Sequence, residues 1–89
     1  PNTLLETMAC GCFPICGDIE SIREWIVPGV NGFLVSPYHP EDLANAVIQA
    51  FRNQTLREKA KKINQAMIVS RADANQIKDL ISDFYAKFF

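Results

Sequence analysis

The sequence predicts an α/β fold with short parallel strands and several helices, and three observations carry the prediction. Two short apolar runs, "FPIC" at 13–16 and "FLV" at 33–35, are each bounded by turn residues, as buried strands of a parallel sheet are. A helix-like stretch lies between them, where parallel strands require a crossover. Three segments with apolar residues at helical spacing then follow.

Asn2 or Thr3 can cap a first helix whose apolar stripe is Leu4, Leu5, Met8 and Ala9, with Gly11 placed to end it as the C′ glycine. Phe13 to Cys16 forms the first strand, closed by Gly17 and Asp18. Ile19 to Val27 carries Ile22, Trp25 and Ile26 at i, i+3 and i+4, which predicts a short helix. "PGVNG" at 28–32 is turn chemistry, with Asn31 and Gly32 able to adopt positive φ. Phe33 to Val35 is the second strand.

Pro40, followed by Glu41 and Asp42, puts proline at N1 and acids in the first turn of a helix. Its apolar face is Leu43, Ala46, Val47, Ala50 and Phe51. Asn53 or Thr55 can cap the next helix, where Leu56, Ala60, Ile63 and Met67 repeat and Glu58 faces Lys61 and Lys62. Ser70 with Asp73 resembles a capping box opening a last helix. The stripe of that helix, Ile77, Leu80, Ile81, Phe84, Tyr85 and Phe88, is the strongest in the chain, and part of it is expected to dock on something outside the chain.

Composition narrows the functional classes. The 89 residues, 48% hydrophobic and 21% charged, describe one ordinary globular domain with a thin core. A net charge of −1 speaks against nucleic-acid binding, which draws on a basic stripe to neutralise phosphates. Apolar stretches fall far short of the roughly 20 residues of a membrane span, and no signal-peptide pattern is present, so a cytoplasmic protein is expected. A solvated face is the expectation for Arg57, Lys59, Lys61 and Lys62, rather than lipid contact. Helix-start signals already under way at Asn2, without an initiating methionine, suggest a piece of something longer.

Cys10, Cys12 and Cys16 read C-x-C-x₃-C, which lacks the paired spacing and fourth ligand of structural zinc, and the one histidine, His39, lies on a separate loop. No metal and no cofactor is therefore expected. An odd count without a secretion signal also argues against a disulfide framework. Cys10 and Cys16 are read as small apolar core residues.

Glu6 is the residue with the most chemical promise. A carboxylate near the start of a short helix, behind free backbone amides, can accept hydrogen bonds from ligand hydroxyls while amides and dipole hold an anion; equally, it can do no more than complement the dipole. Glu24 has the same two readings, with a surface salt bridge the more usual. His39 before Pro40 suits a cap or an exposed loop better than acid–base chemistry. No catalytic residue is assigned, and no nucleophile elbow, Walker loop, dinucleotide fingerprint or H-E-x-x-H is present.

Taken together, "PNTLLETMACGCFPICGD", "ESIREW", "PGVNGFLVSP", "HPEDLANAVIQAF" and "LREKAKK" resemble the carboxyl-terminal domain of retaining GT-B glycosyltransferases, family four or "glycosyl transferases group 1". The resemblance covers nearly the whole chain. It is most specific where "LLETMACG" is joined at the right distance to "GVNGFLV" and "HPEDLA".

The resemblance implies an incomplete Rossmann-like fold over residues 1–89, lacking the amino-terminal part of the donor-binding domain. It implies that Glu6 matches the second glutamate of the family's E-x₇-E motif and holds the ribose hydroxyls of a nucleotide-sugar donor. It places the backbone of Pro1, Asn2, Thr3 and Leu4 beside the donor sugar and diphosphate. The first glutamate would precede Pro1, outside the chain. Transfer would be metal-independent, with amides, helix dipole and basic groups stabilising the departing diphosphate. The last helix would cross back onto an amino-terminal domain. Two departures stand out: Glu20 and Ser21 replace paired glycines, which weakens any ligand contact from that turn, and His39 replaces an aspartate at a helix cap.

The leading expectation is part of a hexosyltransferase-like enzyme that moves a sugar from a nucleotide-diphosphate donor to an acceptor, with retention and without activity in isolation. Two alternatives are a small interaction module that uses its terminal helix, and another GT-B-shaped sugar-nucleotide enzyme such as an epimerase.

Overall fold

The computed structural model describes residues 2–71 and 74–88. In chain order the elements are α1 (Asn2–Ala9), β1 (Ile15–Gly17), α2 (Glu20–Arg23), β2 (Phe33–Val35), α3 (Pro40–Arg52), α4 (Gln54–Arg71) and α5 (Ala74–Phe88). The described residues thus form an α/β fold of two short parallel strands and five helices.

Helix α1 ends where the glycine requires. Gly11 takes φ +80°, its N–H donates to the Met8 carbonyl at 3.2 Å, and the Cys12 N–H donates to the Thr7 carbonyl at 3.1 Å. These are the two bonds of a Schellman cap, and a residue with a Cβ would be strained in that conformation. The chain then enters β1 two residues later than "FPIC" suggests, because Phe13 and Pro14 form the approach to the strand. Proline has no N–H to give a ladder, but the Pro14 carbonyl accepts the Phe33 N–H at 3.0 Å. The parallel register pairs Ile15 with Phe33, Cys16 with Leu34 and Gly17 with Val35.

Between the strands, the helix expected over 19–27 is confined to the single turn of α2. Pro28 disfavours helical backbone at Val27 and supplies no N–H of its own. Asn31 takes over from the helix here. Its Oδ1 accepts the Val27 N–H at 2.7 Å and its Nδ2 donates to the Trp25 carbonyl at 2.8 Å. Of the turn residues able to adopt positive φ, neither Asn31 nor Gly32 does so; Gly29 makes the left-handed step, at φ +78°. Gly32 is needed for a different reason. A Cβ there would lie 2.7 Å from the Pro14 carbonyl oxygen.

Helix α3 begins with Pro40 in its first turn, and His39 is the N-cap by position. The His39 side chain makes no cap bond; its Nδ1 lies 3.0 Å from the Ser36 hydroxyl. Asn53 caps α4, its Oδ1 accepting the Leu56 N–H at 3.0 Å. Arg57 reaches back to the end of α3 and donates to the carbonyls of Ala50 and Phe51, both at 2.6 Å. The Phe51 carbonyl is one that a helix end leaves without a partner, while that of Ala50 also accepts the Asn53 N–H at 3.3 Å. Glu58 accepts a bond from Gln54 at 3.0 Å rather than pairing with Lys61 or Lys62. The Lys61 stem lies against Gly11 instead.

Three further expectations change. Ser70 is inside α4, where its hydroxyl donates to the Met67 carbonyl at 2.9 Å, so it opens no new helix; Asp73 lies outside the described residues. Of the α3 stripe only Ala46 and Ala50 are buried, while Leu43 and Val47 are half exposed and Phe51 is 80% exposed. Cys10 and Cys16 are half buried rather than core residues, although Cys16 packs on the core's edge.

The core gathers Leu4, Met8 and Ala9 of α1 with Ile22, Ile26 and Ile68. Ile77, Leu80 and Ile81 of α5 close over it, so this part of the terminal stripe is used within the chain. Tyr85 remains half exposed, and the Phe88 side chain lies outside the described residues. Among the described residues, no helix is long and apolar enough to cross a membrane.

Candidate functional site

Helix α1 divides its side chains between two hollows, as successive residues turn by about 100°. Asn2, Leu5 and Glu6, at i, i+3 and i+4, share one face. They line a hollow of about 350 Å³ whose other walls are Trp25, Ile68 and Arg71 with Gln76, Asp79, Leu80 and Asp83 of α5. Thr3, Leu4 and Thr7 turn toward a second hollow of about 610 Å³, shared with Phe13, Ile15, Cys16, Ile22, Leu43 and Val47. Asn2 borders both.

The structure therefore brings Asn2 and Glu6 together and sends Thr3 and Leu4 elsewhere. The Leu4 side chain is buried in the core, and Thr3 accepts on its carbonyl a 2.8 Å bond from the Thr7 hydroxyl. What Asn2, Thr3 and Leu4 can offer jointly is backbone: the first N–H groups of a helix have no partner within it and carry the positive end of its dipole. Pro1 lies outside the described residues.

Glu6 sits in the second turn of α1 and is only 4% exposed. A buried carboxylate needs a partner, and here it is Lys87 of α5, whose Nζ donates to Glu6 Oε2 at 2.7 Å. Lys87 itself is about half exposed. Across the hollow, the Arg71 guanidinium lies 4.4 Å from the centre of the Trp25 ring, a cation–π contact. The wall is thus mixed in charge: one buried acid, two acids on α5 and a stacked guanidinium.

Lys87, Arg71, Trp25, Asp79 and Asp83 were not singled out from the sequence. A signal for part of this set exists, since Asp79, Asp83 and Lys87 recur every four residues and form one row on α5. The row alone does not reveal which carboxylate meets Lys87, 81 positions away. Glu24 and His39 are exposed and border neither hollow.

The thiols lie apart from the α5 wall. Burial pushes the Cys16 thiol up, and burial together with the neighbouring Cys12 and Glu6 does the same for Cys10. Both are thus shifted away from the thiolate form that reacts or binds metal.

With this geometry in view, similarity to known proteins is informative. One curated protein, described as an uncharacterized glycosyltransferase of Methanocaldococcus jannaschii, is 30% identical over 57 residues, covering 64% of this chain and 14% of its own. A crystal structure of Anabaena Alr3699/HepE in complex with UDP and glucose superposes with a TM-score of 0.74 at 24% identity. That superposition covers 97% of this chain and 23% of the Anabaena chain. The chain thus spans less than a quarter of either protein's length, and the structural likeness gives a GT-B type of α/β fold. Residues 1–67 match the family described as glycosyl transferases group 1. On that match, which takes in α1, both strands and the Glu6 wall of the hollow, the chain belongs to the glycosyl transferases group 1 family.

Proposed function

We propose that this chain is the later part of a donor-binding domain, from a retaining glycosyltransferase that transfers a sugar from a nucleotide-diphosphate sugar to an acceptor. The observation that carries the reading is Glu6: a buried carboxylate on the wall of a hollow, one turn behind the α1 amino-terminal amides, which have no partner within the helix. A carboxylate there accepts hydrogen bonds from vicinal hydroxyls such as those of a ribose, and the amides favour the adjoining diphosphate. Glu6 orients the donor and breaks no bond. Departure of the nucleoside diphosphate is assisted by amides and the helix dipole, which stabilise the charge as it develops.

The acceptor site and the other half of the donor site belong to sequence that the chain does not contain, so the chain alone has no transferase activity. Placement in the cytoplasm fits a nucleotide-sugar donor. The interaction-module alternative has less support, because Ile77, Leu80 and Ile81 pack on this chain's own core.

The test is donor binding by a protein extended to the length of its relatives, with Glu6→Gln beside the parent. The substitution should weaken nucleotide-sugar affinity about tenfold, the usual scale for losing a charged acceptor of hydroxyl hydrogen bonds. An unchanged affinity would remove the proposed role.

A further inference from the structure

Two carboxylates are within reach of Lys87 in the last turn of α5. Asp83 is four residues back on the same helix, the spacing at which a local ion pair forms. Among the described residues the pair formed is with Glu6 instead, the ammonium donating to Oε2 at 2.7 Å across 81 positions. Glu6 borders the hollow, as do Asp79 and Asp83, whereas Lys87 is not part of its wall. The ammonium therefore holds the carboxylate from outside the space that a ligand would fill. We infer that Lys87 is a positioning residue of the donor site, fixing one oxygen of Glu6 so that the carboxylate meets the ribose hydroxyls of the nucleotide, with α5 closed on α1 throughout.

A glutamate side chain is flexible, and affinity is lost if it has to be ordered only when the ligand arrives. Lys87 orders it beforehand, as outer partners orient the groups of a binding site. Burial makes that support necessary. Glu6 is 5% exposed as a side chain, and a buried carboxylate deprived of its cation turns toward water rather than staying unpaired. Lys87 is 48% exposed, so its charge keeps contact with solvent and the pair costs less desolvation than one buried at both ends. Both backbones are anchored. Leu4, Met8 and Ala9 set α1 in the core, and Leu80 and Ile81 of α5 pack against the same cluster. The lysine bond is made to Oε2, and a carboxylate carries lone pairs for further donors on both of its oxygens.

Because this role rests on the donor-site reading of Glu6, the experiment separates the two. In the protein extended to the length of its relatives, calorimetric titration compares UDP, GDP and ADP, each with its 2′-deoxy analogue. The variants are Glu6→Gln, Lys87→Met, Lys87→Arg and the Glu6→Gln/Lys87→Met double variant beside the parent, with circular dichroism as the folding control. The readout is the preference for ribose over deoxyribose with the tightest-binding base. It should be about tenfold in the parent and fall to about twofold in Glu6→Gln, the scale of one hydrogen bond to a charged group. Lys87→Met should lower it at least about threefold while deoxynucleotide affinity stays as in the parent, because the lysine acts only through the carboxylate. Lys87→Arg keeps a cation within reach and should retain the preference, and the double variant should match Glu6→Gln. If Glu6→Gln lowers the preference and Lys87→Met does not, the donor-site reading stands and the positioning role is overturned. Equal weakening of both nucleotides in Lys87→Met, loss of the preference in Lys87→Arg, or a further loss in the double variant also overturns it. A preference unchanged in Glu6→Gln, or no binding by the parent, overturns both. Should Lys87→Met fail to fold, amine acetylation of the parent decides: Lys87 must be as protected with the nucleotide bound as without it, and greater reactivity on binding overturns the role.

Discussion

Asn64 in the middle of α4 donates its side-chain amide to the backbone carbonyl of Asn31 at 2.9 Å, a bond that spans 33 positions and ties the loop before β2 to the longest helix. Both residues are buried, and Asn31 in turn holds the Val27 N–H and the Trp25 carbonyl. Two amides therefore help fix the shape of the loop, beside the core contact of Ile26. Among the described residues the Asn64 Oδ1 has no partner, so the bond through Nδ2 is what sets its orientation.

These bonds predict unequal costs. Asn31→Ala removes two hydrogen bonds and strands partly buried backbone groups, and should cost about 3 kcal/mol. Asn64→Ala strands one carbonyl and should cost about 1–2 kcal/mol. Urea unfolding of both variants checks the order, and equal midpoints would contradict the asymmetry.

Gly32 and Gly17 should respond in opposite ways to alanine. At Gly32 the new Cβ would meet the Pro14 carbonyl oxygen at 2.7 Å and Pro14 Cγ at 2.9 Å, against the carbonyl that accepts the Phe33 N–H. At Gly17 it would meet nothing within 4 Å. Gly32→Ala should lose about 2 kcal/mol by overpacking, whereas Gly17→Ala should stay within about 0.5 kcal/mol of the parent. Thermal unfolding of the pair provides the comparison.

A pH effect is expected at Asp18. The hydrogen bond from Arg23 Nε, reinforced by the guanidinium's charge against a smaller opposing effect of burial, holds this carboxyl below the usual carboxylate range. A depressed folded-state value means that any stabilisation is present above the ordinary range and is lost as pH falls through the depressed value. The pair is exposed, so its effect on stability should be slight. The cleaner measurement is the Asp18 titration by NMR: Arg23→Ala should move its midpoint up to the ordinary range. A midpoint that stays depressed would show that Arg23 is not the cause.

Legibility from the sequence followed the range of the interaction. The Gly11 end of α1, proline in the first turn of α3 and the Asn53 cap of α4 could all be read, because each is decided by groups within a few residues. The helix that carries the candidate residues was readable for the same reason. The role of Asn31 was not, since turn chemistry suggests positive φ and only the neighbouring Val27 and Trp25 show that its side chain substitutes for a helix. Nor was exposure of the α3 stripe, because an amphipathic pattern states what a face can bury, and the strands and α4 packed on α3 bury only Ala46 and Ala50.

The sequence by itself determined the class of fold, the order of its elements and the helix that carries Glu6, because local spacing and capping dictate these. Tertiary structure alone decided that Asn2 and Glu6 share a hollow while Thr3 and Leu4 do not, and that Glu6 meets Lys87. The physical reason is burial: only once α5 closes over α1 does the carboxylate lose water, and only then must it take a cation from 81 residues away.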